Sequence, residues 1–262
     1  MAHSYSGTFT VIDGLDGVGK GVVIEGIVED LRRQGARVFS LDQWWMCNHF
    51  LPEFNYDNLA NRHAYHPLDS FDVLISSEPT SGQIGQAIRE EVIRTNGREY
   101  SARTTAQLYA LDRLILHRRV LLPALEAGRH VVQSRSVSTS IVYQSTQKLA
   151  EGEAPLSMEE IMSMEGNKFC LENGPNLLII PTIQDVQAVM DRLLAREKQD
   201  AAEFENLRFQ MEIKPLYEGA ILREIFERSG TTVKYIDAGV SIEESKRQGV
   251  EAFRDRFKTI CF

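Results

Sequence analysis

The sequence predicts an α/β fold of three layers, with helices on both faces of a central parallel sheet. Three observations predict it. Six short runs rich in β-branched and apolar residues alternate with segments of helical periodicity. A glycine-rich turn joins the first such run directly to the first helical segment. No internal repeat, low-complexity tract or linker interrupts the 262 residues, so a single domain over 1–262 is expected.

The elements follow in order. Phe9 to Ile12 reads as the first strand. From Val22 to Gln34, apolar residues at 23, 24, 27, 28 and 31 give one face of a helix that Gly35 ends. Arg37 to Leu41 reads as a second strand. Residues 42–70 are rich in Trp, Phe, Tyr, Asn and His without a clean period, and are treated as an insertion. Phe71 to Ile75 predicts a short strand, Ile84 to Ile93 a helix, and Thr104 to Glu126 a long helix closed by Gly128. His130 to Gln133 and Leu177 to Ile180 predict strands. Val186 to Arg196 and Leu207 to Arg228 predict helices, Thr232 to Ile236 the last strand, and Ile242 to Phe257 the last helix.

Composition narrows the partners. The formal net charge is −8, which argues against a nucleic-acid groove as the main contact surface. No apolar run reaches membrane-spanning length, and the first residues carry no basic stretch followed by an apolar one, so neither a membrane segment nor a signal peptide is expected. Cys47, Cys170 and Cys261 are widely spaced and odd in number, as in a reduced, cytoplasmic protein.

The turn carries the chemistry. Asp13-Gly14-Leu15-Asp16-Gly17-Val18-Gly19-Lys20 stands between a strand and a helix, the setting of a phosphate-cradling loop. Glycine lets the backbone curve around phosphate oxygens, and the following helix start attracts the anion. Gly14, Gly17, Val18, Gly19, Gly21 and Val22 are therefore expected to supply loop amides, and Lys20 a point charge for the outer phosphates. The hydroxyl that such a loop offers to Mg²⁺ after its lysine is missing, because Gly21 and Val22 follow. Asp13 and Asp16 add two carboxylates that suit a metal or a sugar hydroxyl. Ligands of a parallel sheet gather at the carboxyl ends of its strands, so this loop, Ser76 to Pro79 and Ser134-Arg135 should converge.

With the loop stand five further blocks in a fixed order: Glu78-Pro79 with Ile84-Gly85 and Ile88-Arg89; Leu108 to Arg113; Leu122 to Gly128; Arg135 through Tyr143-Gln144; and Tyr235 to Ala238 with Ile242 to Glu244. Together they resemble the thymidylate kinases, P-loop nucleoside monophosphate kinases that use ATP and Mg²⁺ to convert dTMP to dTDP. The resemblance implies a three-layer α/β/α P-loop kinase fold and a homodimer. It implies that Asp16 contacts the sugar 3′-hydroxyl, that Tyr109 stacks on the base, and that Arg113 bonds a base carbonyl. Arg135 would grip the acceptor phosphate, Ser140 read the base, and Tyr143 crowd the 2′ position. Lys20, Arg135, Asp13 and Arg196 are the expected catalytic groups. Arg192, Arg196 and Lys198 would belong to a lid at about 192–206, and Asp13 and Glu78 would order the metal, Glu78 also lining the acceptor.

The chain departs from that pattern at Ser134 and Ser136, where an Asp and an aromatic residue are usual, at Gly21, at Ser77 in place of an Arg, and at Asp200-Ala201 in place of an Asp-Arg pair. Two competing readings follow: a related kinase with another nucleoside or nucleotide acceptor, or a nucleotide-binding regulator with weakened catalysis. In the insertion, Trp44 and Trp45 are expected to close over the acceptor or form a dimer face. Cys47, His49, His63 and His66 match no standard zinc spacing.

Overall fold

Phe9–Ile12 forms a fully buried strand, β1, at the heart of the sheet. The computed structural model describes residues 5–54, 68–147, 154–194 and 206–257. Five more strands follow: β2 (Val38–Ser40), β3 (Val73–Ser77), β4 (His130–Ser134), β5 (Leu177–Thr182) and β6 (Thr232–Asp237). All pair in parallel, in the order β2-β3-β4-β1-β5-β6. The order reverses around β1, so the glycine-rich loop leaves the sheet at the point where crossovers diverge to either side.

Side-chain alternation along β1 builds the layers. Ile12 joins Val73, Val132, Leu177 and Ile179 on one face, beneath α1 (Lys20–Arg33). Phe9 and Val11 join Leu74, Val131, Leu178 and Ile180 on the other, which the remaining helices cover. These are α2 (Leu41–Asn48), α3 (Gln83–Ala87), α4 (Ala102–Leu116), α5 (Leu122–Glu126), α6 (Val137–Thr146), α7 (Met158–Ser163), α8 (Glu165–Glu172), α9 (Val186–Leu194), α10 (Leu207–Glu218) and α11 (Ala220–Arg228). The last helix, α12 (Ile242–Arg256), returns beside α1, closely enough that a Cβ at Gly249 would lie 2.6 Å from the Val23 Cγ1.

The six strands and the three layers agree with the sequence reading, which assigns no element to α6, α7 and α8; the expected elements show three differences in form. The third strand begins at Val73, because Phe71 stacks on Phe39 and packs against Phe54 before the strand starts. The helix expected over 207–228 is two helices, broken at Gly219, whose backbone is extended and where a Cβ would sit 2.7 Å from the Pro215 carbonyl oxygen. The helices expected at 84–93 and 104–126 each pass through a π-helical turn, at Ile88–Ile93 and His117–Leu121. Within the insertion, residues 41–48 form α2, capped by the Ser40 hydroxyl. Residues 55–67, with His63 and His66, lie outside the described residues, as do Arg196, Lys198 and most of the expected lid.

Candidate active site: a nucleotide pocket beside the glycine loop

The loop after β1 has the conformation that its glycines permit. Gly17 and Gly19 have φ of 76° and 109°, and α1 starts at Lys20 directly after them. Gly17 is also a close approach, since a Cβ there would meet the Leu193 side chain of α9 at 2.7 Å. The Lys20 ammonium curls back over the loop and donates to the carbonyls of Gly14 and Leu15, at 3.0 and 2.6 Å. It is thus held over the cradle that phosphate oxygens would fill.

Beside the loop, a cavity of about 100 Å³ is lined by Asp16, Glu78, Pro79, Ile93, Tyr109, Arg113, Arg135, Ser136, Thr139, Tyr143 and Gln144. The strand ends, the middle of α4 and the start of α6 converge here, as the topology requires. Tyr109 forms one wall near Ile93 and packs behind the cavity with Ile88 and Val92, and burial pushes its phenol pKa up. Arg113, one helical turn on, has 1 % exposure. Its guanidinium donates to Glu78 at 2.7 Å, to Asn167, to the Ser136 carbonyl and to Ser140 Oγ. One of its five N–H groups, on Nη1, has no internal partner among the described residues.

Burial drives the Glu78 carboxyl up to about 7, although the Arg113 cation opposes the shift; Asp112 and Asp13 add to it. Glu78 therefore sits in a pair whose desolvation outweighs its attraction.

Arg135 faces the loop from the β4–α6 turn. It is held in a left-handed conformation, φ 65°. Its guanidinium pairs with Asp16 and lies 5.4 Å over the Tyr143 ring. Burial would lower its pKa, but Asp16, Tyr143, Tyr217 and Asp13 outweigh that and raise it, so the cation is secure. Asp16 also accepts from the Tyr143 hydroxyl at 2.8 Å, and its backbone N–H donates to Gln210 Oε1 at 3.0 Å.

Three expected groups stand elsewhere than the sequence implied. Ser140 does not line the cavity; it is buried behind Arg113, which it helps to hold. Arg192 donates to the Ala238 carbonyl, bridging α9 to the turn after β6. Asp13 is fully buried and accepts from the Gly14 and Ser136 amides and from the Ser138, Thr139 and Tyr217 hydroxyls. With Glu78 held by Arg113 and Gln133, neither carboxylate is disposed toward a metal. No group of three or more potential ligands occurs among the described residues.

Four residues went unassigned in the sequence reading: Thr139, Gln144, Asn167 and Gln210. Gln144 shows why it matters. It is 2 % exposed, lines the cavity, and its Oε1 has no hydrogen-bond partner among the described residues. A buried amide oxygen left unsatisfied costs stability unless a ligand completes it. In the insertion, Trp45 packs on Gly82, and Asp42 accepts from Ser77 and Ser81. The region thus braces the loop that follows β3.

A phosphate loop opposite a pocket with an arginine at one end and a ring at the other defines a P-loop nucleotide kinase, a phosphotransferase. A sequence profile described as thymidylate kinase matches residues 62–248, which begin after the glycine loop. Accordingly, the chain belongs to the thymidylate kinase family. A probable thymidylate kinase of Pyrococcus abyssi is 28% identical over 241 residues, 91% of either chain. A thymidylate kinase of a Geobacillus species is 28% identical over 191 residues, covering 72% of this chain and 84% of that one. Among solved structures, thymidylate kinase from Candida albicans superposes with a TM-score of 0.63 at 16% identity, over 98% of this chain and 94% of that one, a likeness of fold.

Proposed function

We propose that this protein transfers the terminal phosphoryl group of ATP to dTMP, giving ADP and dTDP, with the pocket beside the glycine loop as the acceptor site. The observation that carries the reading is the convergence of Tyr109, Arg113, Asp16, Arg135 and Tyr143 on one cavity next to Lys20. Thymine presents a carbonyl and an N3–H on one edge. The remaining Nη1 hydrogen of Arg113 answers the carbonyl, and the orphaned Gln144 Oε1 answers the N–H. Tyr109 offers its ring to the base. Asp16 accepts the sugar 3′-hydroxyl, and Tyr143, bonded to Asp16, occupies the space that a 2′-hydroxyl would need. Arg135 turns from Asp16 toward the acceptor phosphate, and Lys20 exchanges the loop carbonyls for the donor's phosphates. Catalysis then rests on two anions held in line with their repulsion neutralised.

Mg²⁺ is assigned to no side chain. Asp13 is occupied by five protein donors, so no step is routed through it, and the triphosphate's own oxygens are the ordinary ligands of that ion. Among the described residues no helix is long and apolar enough to cross a membrane, and Cys47 and Cys170 are free thiols. A cytoplasmic setting belongs to the same proposal. Leu111, exposed on α4, supports a homodimer through the long helices. The lid role of Arg196 and the boundaries of a single domain remain part of the same proposal.

A coupled ADP-release assay with a panel of monophosphates and nucleosides tests the reading. Turnover on dTMP is expected, and Arg135→Met should lower kcat/KM for dTMP by roughly 10²–10³ while leaving the KM for ATP unchanged. Turnover confined to another acceptor, or nucleotide-dependent thermal stabilisation without turnover, overturns it.

A further inference from the structure

Gln133 occupies an interior position of β4, following Val131 and Val132, and it is wholly buried. A valine would fill such a position without the cost of burying an amide. The amide is instead fully employed. Its Oε1 accepts from Ser76 Oγ at 2.9 Å, and its Nε2 donates to Glu78 Oε1 at 3.0 Å and to the Arg135 carbonyl at 2.8 Å. Glu78 and Arg135 line the same cavity from two different strand ends. One donor group therefore ties the β3 wall, which holds Arg113, to the turn that aims Arg135.

We propose that Gln133 is a positioning residue that sets the distance between Arg135 and the Glu78–Arg113 pair, and with it the spacing between the grips on the acceptor's phosphate and base. The inference rests on the acceptor assignment above. Two features make a brace necessary. Arg135 is held in a left-handed backbone conformation, which a non-glycine residue keeps only when its surroundings fix it. Glu78 is reached by no other side-chain amide, so the bond from Nε2 shares its carboxylate with Arg113 alone among side-chain donors in the described residues. A misplacement of about 1 Å in such a constellation costs up to 10²-fold in rate.

The test uses the full chain. Gln133→Met keeps the volume and removes all three bonds. The KM for dTMP should rise about tenfold or more, with the KM for ATP within twofold of its original value. Gln133→Glu supplies the missing donor only while the introduced carboxyl is protonated. That carboxyl would meet Glu78, just after β3, and the Arg135 carbonyl, and Glu78 in turn feels Arg113 and Asp112 of α4 and Asp13 of the glycine loop, so activity on dTMP should be restored toward acid pH and lost as pH rises. A purely structural residue would show no such acid recovery. If Gln133→Met fails to fold, Ser76→Ala removes only the bond that orients the amide, and a selective rise of about threefold in the KM for dTMP is expected. Equal movement of both KM values, or of neither, overturns the brace. Absence of dTMP turnover in the unaltered enzyme overturns the acceptor assignment instead.

Discussion

Replacing Glu78 with glutamine separates two effects that pull in opposite directions. Breaking a buried ion pair by removing one partner ordinarily costs about 3–5 kcal/mol, because the other charge is left behind. The surroundings of Glu78 point the other way. Burial, with Asp112 and Asp13 nearby, raises its carboxyl from 4.5 to about 7 despite Arg113. In the unfolded chain the proton leaves near 4.5, and in the folded protein near 7, so between those values the fold holds more protons. Stability from this group is therefore complete below pH 4.5 and is lost as pH rises through 7, by roughly 3 kcal/mol in all. Glutamine cannot titrate and keeps a neutral amide in the same volume. Urea denaturation of the unaltered protein and of Glu78→Gln, at intervals from pH 4.5 to 8.5, should give a difference that moves in favour of the variant by about 3 kcal/mol across that range. Comparing the two proteins cancels every other titrating group to first order. A constant difference, or one that moves against the variant with rising pH, would refute the claim that desolvation outweighs the attraction of Arg113.

Two further outcomes follow from the loop and the hydroxyls around it. Gly21 is exposed in the first turn of α1, and a Cβ there would meet nothing within 4 Å. Gly21→Ser should therefore fold normally, gain roughly 0.5 kcal/mol of helix stability, and tighten binding of MgATP several-fold more than binding of Mg²⁺-free ATP by isothermal titration; equal tightening with and without Mg²⁺ would count against a metal contact at that position. Tyr217→Phe removes the hydroxyl that reaches Asp13 at 3.1 Å and Thr139 at 3.3 Å. A loss of about 1–2 kcal/mol in denaturant unfolding is expected, and an unchanged midpoint would show that the bonds contribute nothing net.

Why some of this was legible in the sequence and some was not has a physical basis. Strands buried on both faces read as continuous apolar runs, so β1, β4 and β5 were found where they lie without alternation, whereas β6, a partly buried edge strand, was read from its β-branched and aromatic residues. Phe71 looked like strand because it is core, yet it serves an aromatic cluster with Phe39 and Phe54 rather than the ladder. α2 left no period because Trp44 and Trp45 pack individually, on Phe39 and Phe50 and on Gly82, instead of along one stripe. In the site, Tyr109 and Arg113 were legible as neighbours because positions i and i+4 share a helix face, and the glycine loop and Arg135 because both stand at strand ends, while their individual roles came with the family resemblance. Gln133, Gln144, Asn167 and Gln210 were not, since a neutral amide carries no local signal and gains its meaning only from a partner distant in sequence. Asn167 meets Arg113, and Gln210 meets Asp16, across long stretches of chain.

The serine substitutions and the loop carboxylates make better sense together than apart. Arg135 is flanked by Ser134 and Ser136, and Asp13 is surrounded by the Ser136 amide and the hydroxyls of Ser138, Thr139 and Tyr217. Hydroxyl and amide donors supply the hydrogen bonds of the buried Asp13, and the Arg135 guanidinium stands 3.9 Å from it. Asp13 in turn ties β1 to the first turn of α6 and to α10. The same α10 sends Gln210 to Asp16, and Asp16 holds Arg135 and Tyr143. The two carboxylates of the glycine loop thus divide their work. Asp13 fixes the frame in which the glycine loop and the β4–α6 turn meet, and Asp16 holds Arg135 and Tyr143 at the cavity beside it. A loop that served phosphate binding alone would have no use for either.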